Sequence, residues 1–161
     1  MKNLIVIRHA KSSWDAPLKD IDRPLDNRGI KDAHLVAKKA ISLLPKTFLV
    51  FSSPARRASE TAIIFAQNFL YPIENIVFKE ELYTFDGNNL ERIVKSLNNR
   101  YDNVILFGHN EAITNFVNKF GDIYIENVPT SGFVSLKFDS DNWQFIDRGK
   151  TIKTLFPKDL K

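Results

Sequence analysis

The sequence predicts an α/β fold: a three-layer α/β/α sandwich around a mostly parallel central sheet, with an antiparallel strand at its edge. Three observations carry this. The runs LIVI (4–7), FLVFSS (48–53) and NVILFG (103–108) are continuous and apolar, as strands covered on both faces must be. Each is followed by apolar residues at helical spacing, and strands alternating with helices imply right-handed crossovers and parallel pairing. Near the end of the chain, GFVSLKF (132–138) alternates apolar and polar residues, the pattern of an antiparallel strand.

In chain order, the first strand ends in Arg8-His9. An irregular stretch follows over residues 10–25, longer than compact domains keep without a use for it. The first helix follows LDNRG, with Asp26 as N-cap and Ile30, Ala33, Ala37, Ala40, Ile41 and Leu44 on its apolar face. After FLVFSS, Ser53 is the expected cap and Pro54 the first residue of a second helix. Ala58, Ala62, Phe65, Ala66 and Phe69 line one side of that helix. Leu90, Ile93, Val94 and Leu97 mark a third helix, and Ile113, Phe116, Val117 and Phe120 a fourth. NWQFID (142–147) is expected to pair with GFVSLKF as a hairpin, leaving KTIKTLFPKDLK as a solvated tail.

The 161 residues suit one domain, 1–161, with no repeat and no linker dividing it. Apolar residues make up 43%, enough for a sizeable core. The absence of cysteine excludes disulfides, thiolate metal sites and a cysteine nucleophile. His34 stands alone inside the first helix, and no H-x-H or H-E-x-x-H spacing occurs, so no metal site is expected. No signal segment or membrane span is apparent, so the expected location is the cytoplasm, with no membrane partner. The net charge of +4 suits anionic substrates, whereas no basic cluster or aromatic platform suggests nucleic acid.

In open α/β sheets, ligands bind beyond the carboxyl ends of the strands. That rule brings together Arg8 and His9 after the first strand, Ser52 to Arg57 after the second, and Gly108-His109 after the third. Taken singly, each has an ordinary reading: a solvated strand end, a capped helix start, a strand-to-helix turn. Together they offer a specific chemistry. Neutral imidazole is nucleophilic near pH 7 and can form a phosphohistidine. Arginine forks hold phosphoryl oxygens without ever losing charge. Two histidines and two arginines therefore suit phosphoryl transfer, with helix N-termini adding donors.

The motifs also resemble a known family. VIRHAKSSW, SSPARRASETA and FGHNEAI are similar to the R-H-G/A, S-S-P-x-x-R-A-x-x-T-A and G-H-N-x-x-I segments of the histidine phosphatase superfamily, which includes the phosphoglycerate mutases. DIDRPLDNRG resembles the D-x-x-R-P-L-x-x-x-G stretch of its SixA-like phosphohistidine phosphatase branch. The resemblance spans residues 4 to about 135. It implies a phosphoglycerate mutase-like fold and a cofactor-independent phosphatase. His9 would be the nucleophile, with Arg8, Arg57 and His109 around the phosphate. Arg56, beside Arg57, has no fixed family role and is expected to be exposed. Arg23 is implied as a substrate contact. Thr130 and Ser131 of the PTSG turn are implied as substrate-binding, through backbone donors.

The chain departs from the wider family in one respect. The region KEELYTFDGNNLER carries no recognisable general-acid motif, leaving Glu80, Glu81, Asp86 and Glu111 as unassigned candidates. Glu111 also has a plain structural reading as a carboxylate at a helix N-terminus. A P–N bond to imidazole needs less help from an acid than an ester bond. The missing capping insertions imply a shallow, open pocket. The expected substrate is therefore protein phosphohistidine, such as that of a histidine-containing phosphotransfer domain. The alternatives are a small phosphorylated metabolite or, in another class, a phosphate-binding module without turnover.

Overall fold

A computed structural model describes all 161 residues. Its six strands are β1 (Lys2–Arg8), β2 (Leu49–Ser52), β3 (Val77–Phe78), β4 (Asn103–Gly108), β5 (Phe133–Phe138) and β6 (Lys150–Leu155). They form one sheet in the order β3-β2-β4-β1-β5-β6. The first four are mutually parallel; β5 runs antiparallel to β1, and β6 antiparallel to β5. The helices are α1 (Asn27–Ala40), α2 (Arg56–Phe69), α3 (Gly87–Lys95), α4 (Ala112–Phe120) and a terminal turn, α5 (Pro157–Leu160).

The continuous apolar strands follow from having helices on both faces. Leu4 and Val6 of β1 point into a core shared with α3 and α4. Ile5 and Ile7 point the other way, into a core shared with α1 and α2. The expected three layers are therefore present. Asp26 caps α1, its carboxylate accepting from the Gly29 N–H at 2.7 Å. The apolar face of α1 is narrower than its sequence suggests, because Ile30 and Ile41 are exposed and small alanines make most of the contact.

Three expectations are corrected. The partner of β5 is β6, not residues 142–147, and the supposed tail is this edge strand followed by α5. Its lysines are typical of an edge, where charge discourages pairing with another chain. NWQFID instead forms a 3₁₀ turn over Trp143–Phe145 that drops Trp143 into the core beside Phe138. Its indole N–H donates to the Tyr101 carbonyl at 2.7 Å. Truncating an aromatic side chain so buried costs about 3–5 kcal/mol, more than a short exposed strand could return. Finally, α2 begins at Arg56 rather than Pro54. Ser53 caps the turn before it, its hydroxyl accepting from the Ala55 N–H at 3.2 Å.

No helix is long and apolar enough to cross a membrane. No group of three or more His, Asp or Glu side chains is placed to hold a metal ion.

Candidate functional site

β1 and β4 pair in register through Arg8 and Gly108, so His9 and His109 leave the sheet side by side. Their rings lie 5.3 Å apart. β2 ends next to β4, and the turn after it starts α2 with Arg57 on its first turn. The sheet register thus brings together Arg8, His9, Arg57 and His109, which are separated by up to a hundred residues in the chain.

The backbone around His9 is held from three directions. Its N–H donates to the Gly108 carbonyl at 3.0 Å. The Ser131 N–H donates to the carbonyls of both Arg8 and His9 at 3.1 Å. Ser131 takes a left-handed conformation, φ 62°, uncommon for a residue with a side chain. Its N–H is therefore spent on the strand end rather than directed at a ligand, whereas the Thr130 N–H of the same PTSG turn makes no bond within the protein. The Gly132 N–H is spent on the Pro129 carbonyl. Ala10 N–H donates to the Thr61 hydroxyl at 2.9 Å, and that hydroxyl donates to the Arg57 carbonyl at 2.7 Å. Thr61 so ties the loop after His9 to the turn that carries Arg57.

His9 is 8% exposed and its Nδ1 lies 2.7 Å from the Ala10 carbonyl. A carbonyl only accepts, so Nδ1 carries the proton and Nε2 keeps the lone pair. Burial drives the His9 pKa down to about 4; the Ala10 bond opposes this, and the charges of Arg57, Arg8 and Arg23 reinforce it. His109 is 1% exposed, and its Nε2 meets the buried Ser53 hydroxyl at 2.8 Å. Burial, then His9 and Arg57, bring its pKa down to about 3. Both imidazoles are neutral at pH 7.

The long loop after β1 has a clear use. It folds back through a bridge between Ser12 and Leu25, and its 3₁₀ turn Asp20–Asp22 meets Arg57. Arg57 donates from Nη1 to the Asp20 carbonyl at 2.6 Å and from Nη2 to the Asp20 carboxylate at 2.9 Å. Arg23 is buried, donates from Nη1 to the Ser12 hydroxyl at 2.7 Å, and reaches Asp20 from Nη2 at 3.3 Å. Its guanidinium also stacks 3.5 Å over the exposed Trp14 ring. The Tyr83 hydroxyl donates to the same Asp20 carboxylate. Burial alone would raise the Asp20 carboxyl, but hydrogen bonds from Tyr83 and Arg57 hold it down to about 2. Arg8 donates from Nη1 to the Val128 carbonyl at 2.9 Å.

The residues read from the sequence sort as follows. Arg8, His9, Arg23, Arg57 and His109 converge. Ser131 supports the strand end, and its hydroxyl is buried. Thr130, half-buried in the same turn, shows no side-chain hydrogen bond. Arg56 is exposed and pairs with Glu60 at 3.4 Å, as expected for the arginine without a role. Asp86 caps α3, accepting from the Asn88 N–H at 2.8 Å, and Glu80 and Glu81 are exposed in the turn before it. Glu111 sits exposed at the start of α4, where Asn110 supplies the cap by accepting from the Thr114 N–H at 3.1 Å. Both histidines are almost wholly enclosed. Sequence reasoning missed Asp20, Ser53, Thr61 and Tyr83. Asp20 had a signal, an acid at the head of the DIDRPLDNRG stretch inside an overlong loop, and Ser53 and Thr61 stand on fixed positions of the SSPARRASETA segment; Tyr83 had none.

A sequence model of the histidine phosphatase superfamily (branch 1) matches residues 4–93, more than half of the chain. The chain belongs to the histidine phosphatase superfamily. A chloroplastic protein of Arabidopsis thaliana is 35% identical over 123 residues, which are 69% of this chain and 55% of that protein. This histidine phosphatase chain thus spans about half the length of that relative. Among solved structures, the protein histidine phosphatase SixA in complex with tungstate matches with a TM-score of 0.82 at 22% identity, over 99% of both chains. SixA of Agrobacterium tumefaciens matches at 0.76 and 25% identity, over 96% of this chain and 97% of that one. A mycobacterial glucosyl-3-phosphoglycerate phosphatase complexed with VO3 matches at 0.72 and 14%, over 95% and 98%.

Proposed function

We propose that this protein is a phosphatase acting through a covalent phosphohistidine on His9, with protein phosphohistidine as its substrate and no cofactor. One observation carries the reading. Five buried side-chain polar atoms lack a partner: Nε of Arg8, Arg23 and Arg57, Nδ1 of His109 and Oγ of Ser131. Buried polar groups are ordinarily satisfied. Here every exception belongs to a residue clustered at the end of β1. Three of them are arginine N–H donors, and His109 adds a fourth when the Ser53 hydroxyl donates to its Nε2. Such a donor set suits a tetrahedral oxyanion.

In the first step the His9 Nε2 lone pair attacks phosphorus and the bond to the leaving group breaks. When that group is an imidazole protonated on its other nitrogen, it leaves neutral and needs no acid from the enzyme. In the second step water attacks the phosphohistidine. The electron pair of the N–P bond returns to Nε2, and the water's oxygen and both hydrogens leave with the phosphate. Arg8, Arg57 and His109 hold the equatorial oxygens, on which the charge is spread.

The acids available favour phosphohistidine over an ester. Asp20, the carboxylate in the cluster, has a pKa held down to about 2 and has no proton to give at pH 7. Asp86 is committed to the α3 cap. A metabolite ester would need a proton for its alkoxide. The test is phosphate release from a phosphohistidine protein and from an aryl phosphate, with His9→Ala beside the natural protein. Turnover should be lost in the variant, and a phosphorylated intermediate should be trapped on His9. Unchanged turnover overturns the mechanism, and faster hydrolysis of the ester than of the phosphoramidate overturns the substrate.

A further inference from the structure

We infer that Asp20 is a positioning residue: it grips the outer nitrogens of Arg57 and Arg23 so that the Nε edges of both guanidinium groups stay turned to the transferring phosphoryl group. The inference rests on the phosphoryl-transfer reading above for the identity of that ligand.

A guanidinium offers its donors along two kinds of edge: one between the two Nη atoms and one that includes Nε. In Arg57 both Nη atoms are taken by one residue, through the carbonyl and the carboxylate of Asp20. Its Nε is buried and unbonded. Arg23 repeats the pattern, with Nη2 on the other carboxylate oxygen of Asp20, Nη1 on Ser12 and Nε unbonded. One carboxylate thus spans two arginines, and Tyr83 holds it from a third side. Neither arginine could rotate its free edge away without breaking a charge-assisted bond.

A competing reading is that Asp20 fills the oxyanion position and must be displaced. In that case the edges that would receive the phosphate should be the bonded ones. Yet the buried donors left without a partner, and so in need of a ligand, are the Nε atoms. The carboxylate also offsets part of the repulsion among three cations gathered in one place. Asp20 is itself nearly half exposed, so its removal opens no cavity in the core.

The test uses Asp20→Ala and Asp20→Asn. Orthovanadate binding is measured by calorimetry and turnover with an aryl phosphate, alongside thermal unfolding. Misplacing a catalytic group by about 1 Å can cost 10²-fold in rate. Asp20→Ala should therefore lower kcat by about 10–100-fold and weaken vanadate by a similar factor, with unfolding little changed. Asp20→Asn keeps one acceptor oxygen and should recover part of both. Tighter vanadate binding or faster turnover in Asp20→Ala would overturn the inference in favour of a displaced competitor. Unchanged values in both variants would make Asp20 a bystander. The vanadate measurement stands even if His9→Ala proves fully active, so failure of the phosphatase reading is told apart from failure of this one.

Discussion

The Nδ1 of His9 lies 2.7 Å from the carbonyl oxygen of Ala10, its own neighbour in the chain. This contact fixes the tautomer of the proposed nucleophile by local geometry alone. The proton is held on Nδ1, and Nε2 keeps its lone pair. Nothing has to rearrange before attack, which is what preorganisation means at the level of one ring.

The ionisation of His9 should show this directly. With its pKa brought down to about 4, the ring should stay neutral and Nδ1-protonated from pH 8 to pH 5 in the ligand-free protein. Imidazole nitrogen shifts by NMR would report both the tautomer and the midpoint. The attack competence of the free enzyme should then persist well below the ordinary histidine pKa of 6.5. A His9 midpoint near 6.5 would contradict the burial argument.

Stability should depend on pH for the same reason. In the unfolded chain both histidines ionise near 6.5, but in the fold only near 4 for His9 and near 3 for His109. Below pH 6.5 the unfolded chain takes up protons that the fold refuses. Stability should therefore be level above that pH and fall as pH drops toward 4. Asp20 adds a loss in the same direction, but only below its ordinary value of 3.8 and complete near 2. Urea unfolding between pH 7.5 and 4 checks this, and His109→Asn should flatten the slope. A flat profile for the natural protein would contradict it.

Much of the site was legible because strand ends are. Arg8, His9 and His109 follow runs so apolar that only a sheet covered on both faces explains them, and parallel register then decides which residues meet. Arg57 needed the family motif to be chosen over Arg56, since both open the same helix and only burial separates them. Asp20 stood in a quoted motif but its role was not legible, and Tyr83 carried no signal at all. Each reaches the site through a loop whose path depends on tertiary contacts, and a 3₁₀ turn leaves no periodicity to read. The hairpin error has a similar cause. KTIKTL is polar enough to pass for a tail because an edge strand has little to bury, whereas NWQFID is apolar because one tryptophan fills the core.

Gly29 joins these levels, and replacing it tests whether they are coupled. It is the glycine of LDNRG, in the first turn of α1, where the Asp26 side chain accepts its N–H. Helix propensity alone favours Gly29→Ala by roughly 1 kcal/mol. A Cβ there would stand 2.1 Å from the Lys11 carbonyl oxygen and 2.9 Å from the Lys11 nitrogen. Backbone cannot yield as a side-chain tip does, and forced overpacking costs about 1–3 kcal/mol, occasionally more. The steric term should win, so Gly29→Ala should melt lower than the natural protein. Lys39→Ala, on the exposed side of the same helix, should not. Lys11 also lies two residues beyond His9 and next to Ala10, whose carbonyl holds the tautomer of the proposed nucleophile. The displaced backbone should therefore lower kcat by about tenfold or more in protein that is still folded, since small misplacements of a catalytic group are costly. A Gly29→Ala variant with a raised melting temperature and full turnover would show that α1 and the His9 loop are not packed as described.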